Sequence, residues 1–175
     1  MTSTLRPLRE SDLPEVTALN NSAYPAVPLA TESEIAGLVD IASLALVAEE
    51  DGAVRGFLVA VDPGAHYDSE NYVYFSARAA ELTRPFLYID RIVIGEGARG
   101  SGLGRRLYDA VFDRAAGDGR AEVTCEVNIE PPNPQSLAFH ARMGFERVGE
   151  QPTKGGEVVV ALLAAPVAGR EGPAA

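Results

Sequence analysis

The ten residues from Ala98 to Leu107 read Ala-Arg-Gly-Ser-Gly-Leu-Gly-Arg-Arg-Leu. They carry three arginines, three glycines and no acid, in a chain whose formal net charge is −10. Their surroundings limit the fold. Before them, from Phe86 to Ile94, FLYIDRIVI is a β-branched run of strand length. After them, Leu103, Leu107, Ala110 and Val111 fall at helical spacing, which predicts an amphipathic helix to about Ala116, ended by Gly117 and Gly119. A strand thus feeds a helix through a glycine turn. The first N–H groups of such a helix have no partner inside it, the dipole adds partial positive charge, and the missing side chains let an anion reach the backbone.

Three glycine patterns bind anions at such junctions. Gly97 and Gly102 have the spacing of a P-loop, but Leu103 stands where lysine is needed. Gly100 and Gly102 begin a dinucleotide fingerprint, but Arg105 replaces its third glycine. The third pattern is Arg or Gln, two residues, Gly, one residue, then Gly or Ala. Arg99, Gly100, Ser101, Gly102, Leu103 and Gly104 satisfy it throughout, and Arg99, Arg105 and Arg106 add whole charges. The anion that suits this turn is a pyrophosphate.

The rest of the chain is compatible with one mixed α/β domain. A short strand precedes a helix over roughly Leu13 to Asn21, with Ser11 or Asp12 as cap and Pro14 in its first turn. Thr31 caps a second helix. Asp51-Gly52, between two apolar runs, predicts a hairpin. The segment 63–85 is too long for a turn and rich in aromatics, so part of it, about Ser69 to Leu82, is expected as a helix or ordered loop. AEVTCEVN is a strand. Asn133 caps and Pro134 opens a further helix that Gly144 stops, and two closing strands follow. Residues 165–175 are expected to be a disordered tail.

The acidic balance disfavours nucleic-acid and anionic-membrane partners. A single cysteine, Cys125, rules out an internal disulfide and a cysteine-rich metal site. With no signal-peptide pattern and no membrane-spanning run, a cytoplasmic location is expected.

From Phe86 to Phe145 the chain resembles the acetyl-coenzyme A binding half of a GNAT-superfamily N-acetyltransferase. IDRIVIGEGARGSGLGRRLYDAVF is similar to that family's central strand, phosphate loop and helix, and NPQSLAFHARMGF to its later helix with the closing Gly-Phe. The resemblance implies a GNAT-like fold over residues 1–164. Its sheet would be mostly antiparallel and splayed between the fourth and fifth strands, with helices on both faces and 63–85 as an insertion. It implies acetyl-CoA as acyl donor, with no metal. Arg99 to Gly104 and Arg105 would hold the pyrophosphate, and Ile92, Val93 and Ile94 would pair with the pantetheine arm. Asn133, Ser136 and Phe139 would line it, although Asn133 also suits a helix cap and Phe139 a core position.

Many members place a tyrosine, as proton donor to the leaving thiolate, four residues before the glycine of Gly-Phe. Here His140 stands there, and an imidazole can do that work or merely pack. The incoming amine needs a carboxylate to take its proton. Asp90 is the first candidate and has an alternative role pairing with Arg91 or Arg84. Alternation puts it on the strand face of Tyr88 and Ile92. Glu126 is the second, if its strand faces it inward. Cys125 is not expected to carry an acyl group. Tyr72, Tyr88 and Glu126 are expected to touch the acceptor, as are Tyr67 and Tyr74. Asp68, Glu70 and Glu130 would add negative charge for a cation. The expected activity is direct transfer to a primary amine of a small molecule, with a homodimer as a further candidate assembly. The competing classes are an acyl-CoA-binding sensor without transferase activity and a protein or peptide N-acetyltransferase.

Overall fold

A computed structural model describes residues 3–169. In chain order it contains β1 (Thr4–Pro7), α1 (Leu13–Ser22), α2 (Glu32–Ile41), β2 (Leu44–Glu50) and β3 (Ala53–Val61). Then come α3 (Glu70–Leu82), β4 (Phe86–Ile94), α4 (Leu103–Gly117), β5 (Glu122–Glu130), α5 (Pro134–Arg142), β6 (Glu146–Thr153) and β7 (Val158–Pro166). The strands form one sheet in the order β1-β2-β3-β4-β5-β7-β6. Only β4 and β5 run parallel.

Local chemistry accounts for most boundaries. Asp51 and Gly52 both adopt positive φ, the conformation a two-residue hairpin demands between β2 and β3. Thr31 and Glu34 exchange capping hydrogen bonds at the start of α2. Asn133 Oδ1 accepts from the Ser136 N–H, so Asn133 does cap α5. Asp12 does not cap with its side chain. Its carboxylate is taken by the Arg6 guanidinium, at 2.7 and 2.9 Å, and by the Arg9 N–H.

The sheet is covered on both sides, so its central strands are apolar on both faces. Leu107, Tyr108, Val111 and Phe112 of α4, with Met143 and Phe145 after α5, pack on Leu58, Leu87, Val123 and Leu163. Val16 of α1, Ile35 of α2 and Phe75 of α3 pack on the other face, against Phe57, Phe86 and Leu162. The segment 63–85 is therefore built around a helix, α3, rather than a loop. Its N-cap is Ser69, and Tyr72 and Phe75 are buried against the sheet.

Two expectations change. β7 continues through Ala165, which is buried and paired with Val123, to Pro166, so the fold runs past residue 164. Residues 170–175 of the expected tail lie outside the described residues. In β4, Val59 pairs with Arg91 and Ala60 with Ile89, leaving Asp90 as an extra residue. This bulge reverses the alternation beyond it. Tyr88 and Val93 then share one core, while Ile89, Ile92 and Ile94 share the other, so Ile92 is not on the face of Tyr88.

The feature that positions the site is the parting of β4 from β5. They pair only from Phe86 to Tyr88, against Glu122 to Thr124. Beyond Tyr88 the two strands diverge, and the sheet is open between them.

Candidate active site

Two cavities meet at this opening. The larger, about 870 Å³, lies along Ile92, Val93 and Ile94 of β4 and the start of α4, with Asn133, Ser136 and Phe139 of α5 opposite. Arg99, Gly100, Gly102, Leu103, Gly104 and Arg105 line it as well. Gly100 and Gly102 hold φ of +79° and +81°, and a Cβ on either would meet nothing within 4 Å. Both therefore present bare backbone to open space. The first helical hydrogen bond of α4 runs from Arg106 N to Gly102 O, so the N–H groups of Leu103, Gly104 and Arg105 are left for a ligand. A Cβ on Gly104 would touch Phe139 at 3.7 Å, so this glycine also lets α5 approach α4. Ser101 is an exception among the expected residues. Its hydroxyl donates to Ala98 O at 2.6 Å and serves the turn itself. Arg106 turns away and is bound to Ser3. This bare cradle fits the pyrophosphate of acetyl-CoA, and the unpaired β4 edge from Ile92 to Ile94 fits its amide-bearing arm.

The second cavity, about 540 Å³, opens on the α3 side of the sheet and contains Asp90 and Glu126. Asp90 accepts from the Tyr67 hydroxyl at 2.5 Å and pairs with Arg91 at 3.2 Å. Arg91 is in turn anchored to Asn20 Oδ1 and Pro28 O. Of the two partners expected for Asp90, Arg91 is the one it has. Glu126 faces inward and accepts from the Tyr88 hydroxyl at 2.9 Å. Burial pushes the Glu126 carboxyl up to about 8, helped by the charge of Asp90 and opposed by hydrogen bonds from Tyr88 and Asn71. Burial also raises Asp90, against the pull of Tyr67 and Arg91. The two carboxyls are coupled, so their titration belongs to the pair.

Tyr108 and His140 line both cavities. The Tyr108 hydroxyl lies 2.5 Å from His140 Nε2, and His140 Nδ1 lies 2.7 Å from the Ser136 carbonyl oxygen. Burial holds the His140 pKa below its ordinary value. Cys125 is buried beside them, its thiol pushed up by burial and then by Glu126, which suits a spectator rather than a nucleophile.

A family model described as "Acetyltransferase (GNAT) family" matches residues 8–145. The chain belongs to the GNAT acetyltransferase family. Its enzyme class is therefore that of acyltransferases drawing on acetyl-CoA. Among GNAT relatives, the phosphinothricin N-acetyltransferase of Streptomyces coelicolor is 28% identical over 148 residues, spanning 83% of this chain and 82% of that protein. Solved GNAT folds align along nearly the whole chain. The structure of yncA from Salmonella typhimurium with its cofactor acetyl-CoA has a TM-score of 0.71 at 18% identity, covering 100% and 99% of the two chains. The ribosomal-protein-S18-alanine N-acetyltransferase from Escherichia coli has a TM-score of 0.71 at 17% identity, covering 99% of each.

Within this GNAT site some expected acceptor residues fall elsewhere. Tyr72 lines neither cavity. Its hydroxyl donates to Asp62 O and accepts from the Ala65 N–H, closing the loop before α3. Tyr74 donates to Val148 O and joins α3 to β6. Tyr88 sits behind Glu126 and orients it. Tyr67, Asp68 and Glu70 do reach the cavity, whereas Glu130 does not. Tyr108 and Asn71 were not anticipated. Tyr108 lies next to the α4 stripe of Leu103, Leu107, Ala110 and Val111 without belonging to any motif. The signal is its polar tip on a buried face, because a buried tyrosine hydroxyl needs a partner. Among the described residues no cluster of His, Cys, Asp and Glu is placed to hold a metal, and no helix is long and apolar enough to cross a membrane.

Proposed function

We propose that this enzyme acetylates the primary amine of a small molecule, by direct attack on acetyl-CoA in a ternary complex. The observation that carries the reading is that the acceptor cavity is walled on two sides. The Lys154 N–H donates to Glu70 and the Gln151 amide to Asn71, so the start of α3 is tied to the β6–β7 turn. On the opposite side the Asn128 amide donates to Pro25 O, holding the segment after α1 against β5. Both walls are thus stitched to the sheet. A chamber of about 540 Å³ suits a small ligand better than an extended peptide. The name of the Streptomyces relative also speaks for a small acceptor, although that of the Escherichia coli neighbour is of a protein acceptor.

In this reading Glu126 takes the proton of the bound ammonium, and Asp90 adds the negative charge that draws the cation in. A carboxyl raised to about 8 is a stronger base than an ordinary carboxylate, and near that pH half of it is ready to accept. The N–H groups at the head of α4 and the β4 edge fix the donor, so the thioester is presented at the opening between β4 and β5.

The test is thiol release from acetyl-CoA with a panel of small primary amines and of peptides. Turnover with small amines at least tenfold above peptides supports the reading. Preference for peptides overturns the small-molecule acceptor, and tight CoA binding with no release for any amine favours an acyl-CoA sensor.

A further inference from the structure

The hydrogen-bond chain at the junction of the two cavities has a direction. A carbonyl oxygen can only accept, so His140 Nδ1, facing Ser136 O, carries the proton of the neutral ring. Nε2 is then a lone pair, and the Tyr108 hydroxyl donates to it. His140 thus has no proton to offer a departing thiolate, contrary to the role expected of it as the direct acid. It does have a vacant site for one, and the Tyr108 oxygen is the atom that stands 2.5 Å from it.

We propose that Tyr108 and His140 form a proton shuttle from the attacking amine to the leaving sulfur, with the Tyr108 oxygen as the relay atom. As the nitrogen–carbon bond forms, the surplus proton on nitrogen passes to the Tyr108 oxygen, and the proton of Tyr108 passes to Nε2. His140 becomes an imidazolium whose two N–H groups are both received, by Tyr108 and by the Ser136 carbonyl. As the carbon–sulfur bond breaks, its electron pair goes to sulfur. Tyr108 then protonates the sulfur and recovers its proton from Nε2. The ring ends neutral, and no other reactant is consumed. Removal of the first ammonium proton is a separate event and belongs to Glu126.

The surroundings suit this role. Tyr108 packs edge-on against Phe139, His140 and Phe145, which fixes its ring. The other titratable groups around the pair are Cys125 and Glu126 of β5. Cys125 lies within hydrogen-bond reach of the Tyr108 hydroxyl, and burial keeps its thiol protonated, a weak acceptor beside the Nε2 lone pair.

The shuttle rests on the direct-attack reading but not on the size of the acceptor. It is therefore assayed with whichever amine or peptide gives the fastest thiol release in the unmodified enzyme. Tyr108→Phe keeps the ring and removes the relay atom. The expected result is a fall in kcat of about 10²-fold with KM for acetyl-CoA changed less than twofold. His140→Asn should fall by a similar factor, and the double variant no further than the worse single one, as for residues acting as a unit. An unchanged kcat in Tyr108→Phe, or losses that multiply in the double variant, overturns the shuttle. CoA binding by calorimetry checks that each variant is folded. If Tyr108→Phe does not fold, ¹⁵N shifts of His140 in the unmodified protein decide: a proton on Nδ1 supports the shuttle and one on Nε2 overturns it. Turnover with peptides alone overturns only the small-molecule reading. Release with no amine at all overturns both.

Discussion

Tyr88 donates its hydroxyl to Glu126 at 2.9 Å from the last residue at which β4 still pairs with β5. The carboxylate on one strand is thus held by the phenol of the other, at the root of the opening where the strands part. Burial and the neighbouring Asp90 charge raise Glu126 to about 8.

If Glu126 is the base, activity is lost as it is protonated. The kcat profile at saturating acceptor should rise with pH and level off above about 8. Glu126→Gln should lower kcat by about 10²-fold or more and flatten that rise. A variant keeping the full rise would show that the limb belongs to another group.

The same shift has a consequence for stability, and its sign is fixed. A carboxyl whose folded pKa lies above its unfolded value binds its proton more tightly when folded. Its contribution is present below the ordinary carboxylate range and is lost as pH rises towards about 8. In denaturant melts, the stability difference between Glu126→Gln and the unmodified protein should therefore shift steadily in favour of the variant from pH 5 to about 9.

Asp90→Asn separates the two carboxyls. Removing the negative charge of Asp90 should lower the Glu126 pKa, moving the rising limb of kcat to lower pH by on the order of one unit. Loss of the limb altogether would make Asp90 itself the base. A stopped-flow or thiol-trapping assay across pH 5.5 to about 9.5 distinguishes them.

Gly102 caps α4 with φ of +81°. Gly102→Val forces a β-branched residue into the left-handed region, at a cost of roughly 1–2 kcal/mol, and projects its side chain into the donor cavity. KM for acetyl-CoA should rise at least tenfold while KM for the amine changes little. Initial-rate kinetics with both substrates varied reads the split.

Arg78 of α3 is ion-paired with Glu122 of β5, and the Glu122 side chain is 5% exposed. Arg78→Ala leaves that carboxylate buried without its partner and should cost about 3 kcal/mol. Urea denaturation measures it. Arg78→Ala with Glu122→Leu should recover much of the loss, since an apolar replacement removes the stranded charge.

The sequence made the strand, turn and helices around the glycine segment legible because their signals are local. The glycine turn, the strand before it and the Asn133-Pro134 helix start each depend on residues within a few positions. The surroundings of Asp90 and Glu126 depend on geometry that no short pattern records. The bulge at Asp90 contains no glycine or proline to announce it, yet it decides that Ile92 and Tyr88 face opposite ways. Tyr72 and Tyr67 look alike in an aromatic stretch. The first closes a loop on Asp62 and the second holds Asp90, according to how α3 settles on the sheet. Tyr108 was hidden for another reason, because it stands beside the stripe of Leu103, Leu107, Ala110 and Val111 and no motif marks it.

The opening between β4 and β5 passes through the sheet, with the donor cavity on the α4 and α5 side and the carboxyls on the α3 side. If acetyl-CoA takes the first cavity and the amine the second, as proposed, each substrate has its own side of approach, and so does each product, with Tyr108 and His140 at the shared wall. Coenzyme A and the acetylated amine need not queue for one exit, so neither has to leave first. Product inhibition should then show random release, with each product competing only with the substrate that shares its door.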